Sequence, residues 1–263
     1  MKTRIISGIV MGVIVAAVLT VGLLLNTIVI DIAIGILAAV AGYELIHNAV
    51  GIKSKPAVIG VCVYLGLSVF MMKLTFYYFF FISILYFLFA VCMVLKNNNE
   101  FNLSHIGCLC GLPPVLGFCF ASLDGVITFN SGIYYLLLLL NFSSVCDIGA
   151  YFTGVTIGKH KLCPNISPKK TVEGAIGGIV SSIIVTVILS LCFQKPLIMP
   201  IILTVPFCII GMIGDLFASS IKRAVGLKDY GNLIPGHGGV LDRVDSIIMI
   251  VPLLFLLALH GVI

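Results

Sequence analysis

The chain has 263 residues, of which 60% are hydrophobic and only 10% are charged, and its formal net charge is +5. A soluble globular domain cannot hide that much apolar surface, because its exterior must meet water. The apolar residues form long unbroken runs, which favour membrane-spanning helices over the short alternating strands of a membrane β-barrel. We therefore expect an all-α, polytopic integral membrane protein whose positive charge reflects loop lysines and not a nucleic-acid surface.

The apolar runs predict about nine transmembrane helices. These lie at about 5–25, 27–46, 57–72, 74–95, 106–121, 132–153, 175–193, 197–218 and 246–262. Pro113 and Pro114 are expected to bend or interrupt the fifth helix. We divide the chain into N-terminal transmembrane helices at 1–130, with about five spans, and a C-terminal transmembrane region at 131–263, which contains polar loops at 154–174 and 219–245.

The distribution of basic residues predicts the orientation, because short cytoplasmic loops are rich in Lys and Arg. With nine spans and a cytoplasmic N-terminus, one side of the membrane holds all 15 Lys and Arg residues except Lys73 and Lys195. Both polar loops then face the cytoplasm, where nucleotides are found.

Three carboxylates lie around the last polar loop. Asp215, Ser219 and Lys222 have i, i+4, i+7 spacing, so they share a face if the eighth helix continues beyond its apolar part. Asp242 and Asp245 are three residues apart at the start of the ninth helix. Mg²⁺ prefers oxygen ligands and usually takes one or two carboxylates together with water and substrate phosphate. The three acids therefore predict one Mg²⁺ site, or two sites that share them.

Basic side chains and glycines surround these acids. Glycines allow tight turns that aim backbone N–H groups at an anion, and His237 could donate to a phosphate or act as an acid or base. The candidate phosphate-binding residues are Lys222, Arg223, Lys228, His237, Gly238, Gly239 and Arg243. The alternative is that acids and bases only form an interfacial cluster of salt bridges. The cost of placing acids at membrane depth favours the metal site.

A second polar group lies at and after the sixth predicted helix. Asp147 interrupts an apolar run, so it is buried in lipid, paired, or lining a polar cavity. Lys169 and Lys170, with the hydroxyls of Ser167 and Thr171, predict an anion site at the start of the seventh helix. The alternatives are that Ser167 or Thr171 caps this helix and that the lysines anchor the loop at the membrane surface. The sequence has no Gly-Lys-Ser/Thr phosphate loop, which argues against an ordinary P-loop ATP site.

The order and spacing of these motifs resemble the phosphatidate cytidylyltransferases, also called CDP-diacylglycerol synthases. The resemblance is carried by Ser220-Ile-Lys-Arg223, Lys228-Asp229, Pro235-Gly-His-Gly-Gly239 and Asp242-Arg-Val-Asp245, preceded by 147–151 and 167–174. It is specific over about 145–246, whereas the first 130 residues match only in hydropathy. The chain has no Trp, although members of this family often carry one near the segment at 147–151, but no proposed ligand depends on it.

The resemblance implies an Mg²⁺-dependent nucleotidyltransferase that joins CTP and phosphatidate to give CDP-diacylglycerol and pyrophosphate at the cytoplasmic face of the cell membrane. It makes 131–263 the catalytic region. The implied metal ligands are Asp215, Asp242 and Asp245, which with Lys222, Arg223 and Arg243 form the catalytic set. The implied substrate-binding residues are Asp147, Ser167, Lys169, Lys170, Thr171, Ser219, Lys228, His237, Gly238 and Gly239. A homodimer is compatible with this reading, and no nucleic-acid partner is expected.

Two alternatives stay open. A CTP-dependent enzyme could act on another lipid, such as a polyprenol or an ether lipid, because the loop residues do not indicate which hydrocarbon chains the lipid carries. A transporter or cation channel would use Glu44, Asp147 and Asp215 as a polar path across the bilayer. The second alternative is disfavoured because the charges concentrate on one face of the membrane.

Overall fold

The computed structural model describes residues 2–96, 101–164 and 166–263, with side chains from residue 6 onward. The chain is built almost entirely from helices. In chain order they are α1 (Lys2–Leu24), α2 (Ile28–Tyr43), α3 (Lys55–Leu74), α4 (Phe76–Lys96), α5 (Leu103–Thr128), α6 (Gly132–Leu140), α7 (Cys146–Ile157), α8 (Val172–Cys192), α9 (Ile198–Ala224) and α10 (Leu241–Leu259). A π-helical turn, Glu44–Ala49, extends α2, and a second one, Asn141–Val145, joins α6 to α7.

Eight segments of the described residues are long and apolar enough to cross a membrane, judged by length and composition. The prediction of an all-α, polytopic membrane protein is confirmed. The last predicted span is also helical, but α10 begins at Leu241 and its N-terminal end carries Asp242, Arg243 and Asp245, so it is not among the eight. Helix α9 continues beyond its apolar part to Ala224, which places Asp215, Ser219 and Lys222 on one helix, as their spacing required.

Of the two effects expected of Pro113 and Pro114, a bend or an interruption of the fifth helix, the interruption does not occur, because α5 runs through both residues. A proline lacks the N–H that would bond the carbonyl four residues earlier, which for Pro113 is that of Leu109. The hydroxyl of Tyr86, a buried residue on α4, donates to this carbonyl oxygen at 2.7 Å. A neighbouring helix thus supplies the missing donor, which is how membrane helices tolerate proline.

The polar loop at 154–174 contains a short hairpin that the sequence analysis did not predict. Strand β1 (Lys161–Cys163) pairs antiparallel with β2 (Ser167–Thr171), with Lys161 opposite Thr171 and Cys163 opposite Ser167. Because β2 leads directly into α8, the hairpin fixes the position of Lys169 and Lys170 relative to that helix.

The contacts within the chain define two compact units. Unit 1 contains the residues up to Thr128 together with Val225–Val244, and unit 2 contains Phe129–Ala224 together with Asp245–Ile263. The loop between α9 and α10 therefore groups with the N-terminal helices in unit 1.

Glycine allows α7 and α8 of unit 2 to approach closely. A Cβ atom at Gly178 would lie 2.5 Å from the carbonyl oxygen of Cys146, and one at Gly174 would lie 2.7 Å from that of Ala150. Small residues at helix interfaces are typical of membrane proteins, where close van der Waals packing drives association.

A polar network adds to this packing where the second π-helical turn meets α8. Asn141 Nδ2 donates to the Ser182 carbonyl at 3.0 Å and to Thr186 Oγ1 at 2.9 Å. The hydroxyls of Thr186 and Thr204 are 2.8 Å apart, which links α8 to α9. Hydrogen bonds between helices stabilise such bundles, since lipid offers these groups no alternative partner.

We expect Gly178→Ala to lower the melting temperature of the protein in detergent. The added methyl group would press on a backbone oxygen that cannot rotate away, and overpacking of this kind typically costs about 1–3 kcal/mol. Gly107→Ala is the matched control, because it is also a helical glycine but a Cβ atom there meets nothing within 4 Å. Equal melting temperatures of the two variants would contradict the close approach of α7 and α8.

Candidate functional site

A cavity of about 540 Å³ in unit 2 brings together charged residues from three regions of the sequence. Asp147 comes from α7, Lys161 from β1, Lys169 and Lys170 from β2, and Asp215 from α9. Much of the remaining wall is apolar or glycine, including residues of α7 and α8. Of the three environments considered for Asp147, the structure therefore shows a partly polar cavity.

The best-defined ion pair of this cavity joins Lys170 to Asp215. Lys170 Nζ lies 2.5 Å from Asp215 Oδ2, and each side chain is 27% exposed. Lys169 is the exposed neighbour on β2, and Ser167 is half-buried at the start of the strand. A charge-assisted hydrogen bond of this length is among the stronger polar contacts in proteins. Lys170 is thus a cavity residue and more than a membrane-surface anchor.

The start of α8 is held by two side chains. Thr171 Oγ1 accepts a hydrogen bond from the Gly174 N–H at 3.1 Å, so Thr171 is the helix cap that was considered as an alternative to a substrate-binding role. Glu173 Oε2 accepts from the backbone N–H groups of Lys159 and His160 at 3.0 and 3.1 Å. Sequence analysis gave Glu173 no role in the site, because nothing in its spacing shows which amides it reaches.

Helices α9 and α10 bring together Lys222 and Asp245. Lys222 Nζ lies 3.9 Å from Asp245 Oδ2, and the two side chains are only 11% and 12% exposed. Asp245 Oδ1 accepts from the Ser246 N–H at 2.8 Å. Ser219 lies half-buried one turn before Lys222, whereas Arg223 is exposed at the end of α9.

Unit 1 contains a second, mostly polar cavity of about 510 Å³ in the loop between α9 and α10. The cationic groups of its wall are Lys228 and Arg243, which lie there with His237 and Asp229. His237 has a defined partner, since its Nδ1 lies 2.8 Å from the hydroxyl oxygen of Ser7 on α1. Of the predicted basic residues, Lys228, His237 and Arg243 therefore share this cavity, whereas Lys222 and Arg223 are not part of its wall.

The sequence analysis expected the loop glycines to aim their amides at an anion, but the amides of Gly238 and Gly239 bond within the loop. The Gly238 N–H donates to the Ile234 carbonyl at 3.1 Å, and the Gly239 N–H donates to Asp242 Oδ2 at 3.0 Å. Asp242 Oδ2 also accepts from the Tyr230 N–H at 2.7 Å. Asp242 is 6% exposed, and one of its oxygens holds the loop backbone.

Comparison with known proteins assigns the chain to a family. It matches the model of the cytidylyltransferase family over residues 2–260. It is 36% identical over 275 residues to the phosphatidate cytidylyltransferase of Bacillus subtilis (strain 168), covering 99% of both chains. It is 41% identical over 135 residues to the phosphatidate cytidylyltransferase of Staphylococcus saprophyticus, covering 51% of this chain and 52% of the relative. The chain belongs to the cytidylyltransferase family.

The similarity of this cytidylyltransferase to its relatives extends beyond the motifs. The resemblance was specific over about 145–246, but the Bacillus subtilis relative aligns along 99% of the chain. The N-terminal helices therefore lie within the region that the family model and this relative cover.

The carboxylates of this cytidylyltransferase have the oxygen donors that Mg²⁺ prefers. Within the ranges that the structure describes, no three His, Cys, Asp or Glu side chains form a ready set of metal ligands. Mg²⁺ needs only one or two carboxylates when phosphate oxygens and water complete its shell. Asp215 and Asp147 line one cavity and fit this requirement. Asp242 already has one oxygen engaged with the backbone.

Replacing Thr171 by Val should destabilise the cytidylyltransferase, whereas Thr171→Ser should not. Val has nearly the same shape but cannot accept the Gly174 N–H, and losing a helix cap typically costs about 0.5–2 kcal/mol. Ser keeps the hydroxyl. Thermal unfolding in detergent measures the difference, and a Val variant as stable as the Ser variant would show that the cap contributes nothing.

Proposed function

We propose that this cytidylyltransferase transfers CMP from CTP to phosphatidate and releases pyrophosphate, leaving CDP-diacylglycerol in the membrane. The observation that carries the proposal is the alignment over 99% of both chains with a relative named phosphatidate cytidylyltransferase. The membrane-spanning helices suit a lipid substrate whose acyl chains stay in the bilayer. The cationic groups of the two cavities suit substrates that both carry phosphate.

The proposed reaction needs positioning and charge neutralisation more than a strong base. A phosphate oxygen of phosphatidate, which is anionic at neutral pH, attacks the α-phosphorus of CTP. A new P–O bond forms, the bond to the β-phosphate bridging oxygen breaks, and pyrophosphate leaves with its electron pair. Catalysis of phosphoryl transfer depends on in-line geometry and on cations around the phosphates. Lys169 and Lys170 supply cations in one cavity, and Lys228 and Arg243 supply them in the other.

Mg²⁺ is the proposed cofactor, with Asp215, Asp242 and Asp245 as its candidate ligands. The accessible carboxylates of Asp215 and Asp147 support the first of these assignments. When bound, Mg²⁺ would offset the charge of the nucleotide phosphates and of the departing pyrophosphate.

We place the enzyme in the cell membrane with its N-terminus and both polar loops on the cytoplasmic side. The asymmetric distribution of Lys and Arg supports this orientation. CTP would then reach the cavities directly from the cytoplasm. A homodimer is compatible with the proposed function, and light scattering on the purified protein would measure it.

Asp215→Asn should reduce CMP transfer at least about a hundredfold, because electrostatic stabilisation of phosphoryl transfer is usually the largest catalytic contribution. The assay follows label from CTP into lipid, using purified protein, phosphatidate and Mg²⁺, with ATP replacing CTP as a specificity control. Asp215 is a better target than Asp242, whose substitution would also disturb the loop backbone. Asp124→Asn, which changes a buried acid on α5, is the matched control and should retain transfer.

Removing divalent metal with EDTA should abolish transfer, and added Mg²⁺ should restore it. The reason is that the charge of two phosphorylated substrates exceeds what the nearby lysines offset. Full activity in EDTA would overturn the Mg²⁺ assignment alone. Transfer from CTP to a polyprenol phosphate or an ether-linked lipid, with none to phosphatidate, would overturn the proposed substrate.

A further inference from the structure

The loop of unit 1 is held by a carboxylate that lies far away in the sequence. Glu44 Oε1 accepts from the Val240 N–H at 3.0 Å, and Oε2 accepts from the Leu241 N–H at 2.9 Å. Leu241 is the first residue of α10, so Glu44 caps that helix from outside it. The first N–H groups of a helix have no internal partner and carry partial positive charge, which makes a carboxylate a favourable cap.

Local backbone structure explains how Glu44 reaches this position. It begins the π-helical turn Glu44–Ala49, a form that occurs mostly as single turns within α-helices and is frequent at functional sites. Asn48, from the same turn, donates through Nδ2 to the Tyr230 carbonyl at 2.7 Å. One turn of the N-terminal region therefore holds the loop at two points, near its middle and at its end.

The glycines of the loop permit this contact. A Cβ atom at Gly231 or at Gly239 would collide with the Glu44 carboxyl group. Glu44 itself is 3% exposed. The close approach of the Glu44 carboxyl group explains why glycine stands at these two positions.

Val240 and Leu241, whose amides Glu44 holds, lie in the sequence between two residues that line the polar cavity. His237 is three residues before Val240, and Arg243 is two residues after Leu241. Both side chains line the cavity together with Lys228. Fixing the backbone of Val240 and Leu241 therefore fixes how the cavity's cationic and imidazole groups face one another. Asp31, a buried acid of α2, the helix that this turn extends, pairs instead with Lys73 at 2.7 Å.

We propose that Glu44 is a positioning residue for this cavity and that the cavity takes the polyphosphate of CTP. The second half rests on the proposed function. A mostly polar wall with Lys228, His237 and Arg243 suits a triphosphate arriving from water better than it suits an acyl-bearing lipid. The first half rests on the hydrogen bonds of Glu44 alone.

The test compares Glu44→Gln, Glu44→Asp and Asp31→Asn in the full-length protein in detergent. Gln has the same shape but presents an NH₂ group to one of the two N–H donors, so a charge-assisted hydrogen bond is lost. Such a bond is worth about tenfold in an equilibrium. We expect Glu44→Gln to speed hydrogen exchange of the segment Val225–Val244 and to raise KM for CTP about tenfold. Its kcat and its KM for phosphatidate should change much less.

The two comparison variants separate positioning from general stability. Glu44→Asp keeps the carboxylate, so its loop should exchange hydrogen more slowly than that of Glu44→Gln, and its KM for CTP should be closer to the wild-type value. Asp31→Asn removes an equally buried acid of the same helix, so it should lower the melting temperature without changing exchange in Val225–Val244 or KM for CTP.

Three outcomes would overturn part or all of the proposal. Glu44→Gln could lower the melting temperature as Asp31→Asn does and leave amide hydrogen exchange in the loop unchanged. That result would show that Glu44 is only a buried structural acid. If Glu44→Gln speeds amide hydrogen exchange in the loop but raises KM for phosphatidate and not for CTP, the assignment of the cavity to the polyphosphate of CTP is overturned. Absence of any transfer by the wild-type protein would overturn the proposed function, while the exchange result would still decide the role of Glu44.

Discussion

The loop between α9 and α10 depends on two buried carboxylates that accept backbone hydrogen bonds. Glu44 takes the N–H groups of Val240 and Leu241, and Asp242 takes those of Tyr230 and Gly239. A loop with five glycines between Gly226 and Gly239 gains little order from its own side chains. These four bonds, together with the burial of Tyr230 and Val240, order the backbone that carries the cationic residues of the loop.

Hydropathy and spacing predicted the helices of this cytidylyltransferase well, because in a bilayer length and apolarity nearly determine where a helix forms. The continuation of α9 to Ala224 also agrees with the spacing of its polar residues. The continuity of the fifth helix through Pro113 and Pro114 could not be predicted from the sequence, for a specific reason. The donor that compensates for Pro113 is the hydroxyl of Tyr86, on a different helix, and local sequence rules cannot show that contact.

The types of residue in the candidate site could be predicted, but their partners could not. Asp147, Lys170 and Asp215 were recognised as charges in an apolar chain, and they line one cavity. Glu173 was given no role in the site, and Glu44 was considered only for a transport path, because each carboxylate holds backbone amides, which every residue has. Those amides lie 13 and 14 residues before Glu173 and 196 and 197 residues after Glu44. Sequence motifs indicate which side chains are reactive. The groups that orient those side chains can be identified only from the three-dimensional structure.

The ion pair of Lys170 and Asp215 has a consequence for how a phosphate could enter the cavity of unit 2. Lys170 already has an anionic partner in the folded chain, so its charge is matched within largely apolar surroundings. Under the proposed function, a phosphate at Lys170 competes with Asp215 for the N–H donors of the same ammonium group. Binding of an anion is then coupled to the freedom of the Asp215 carboxylate, which is the group proposed as a cation ligand.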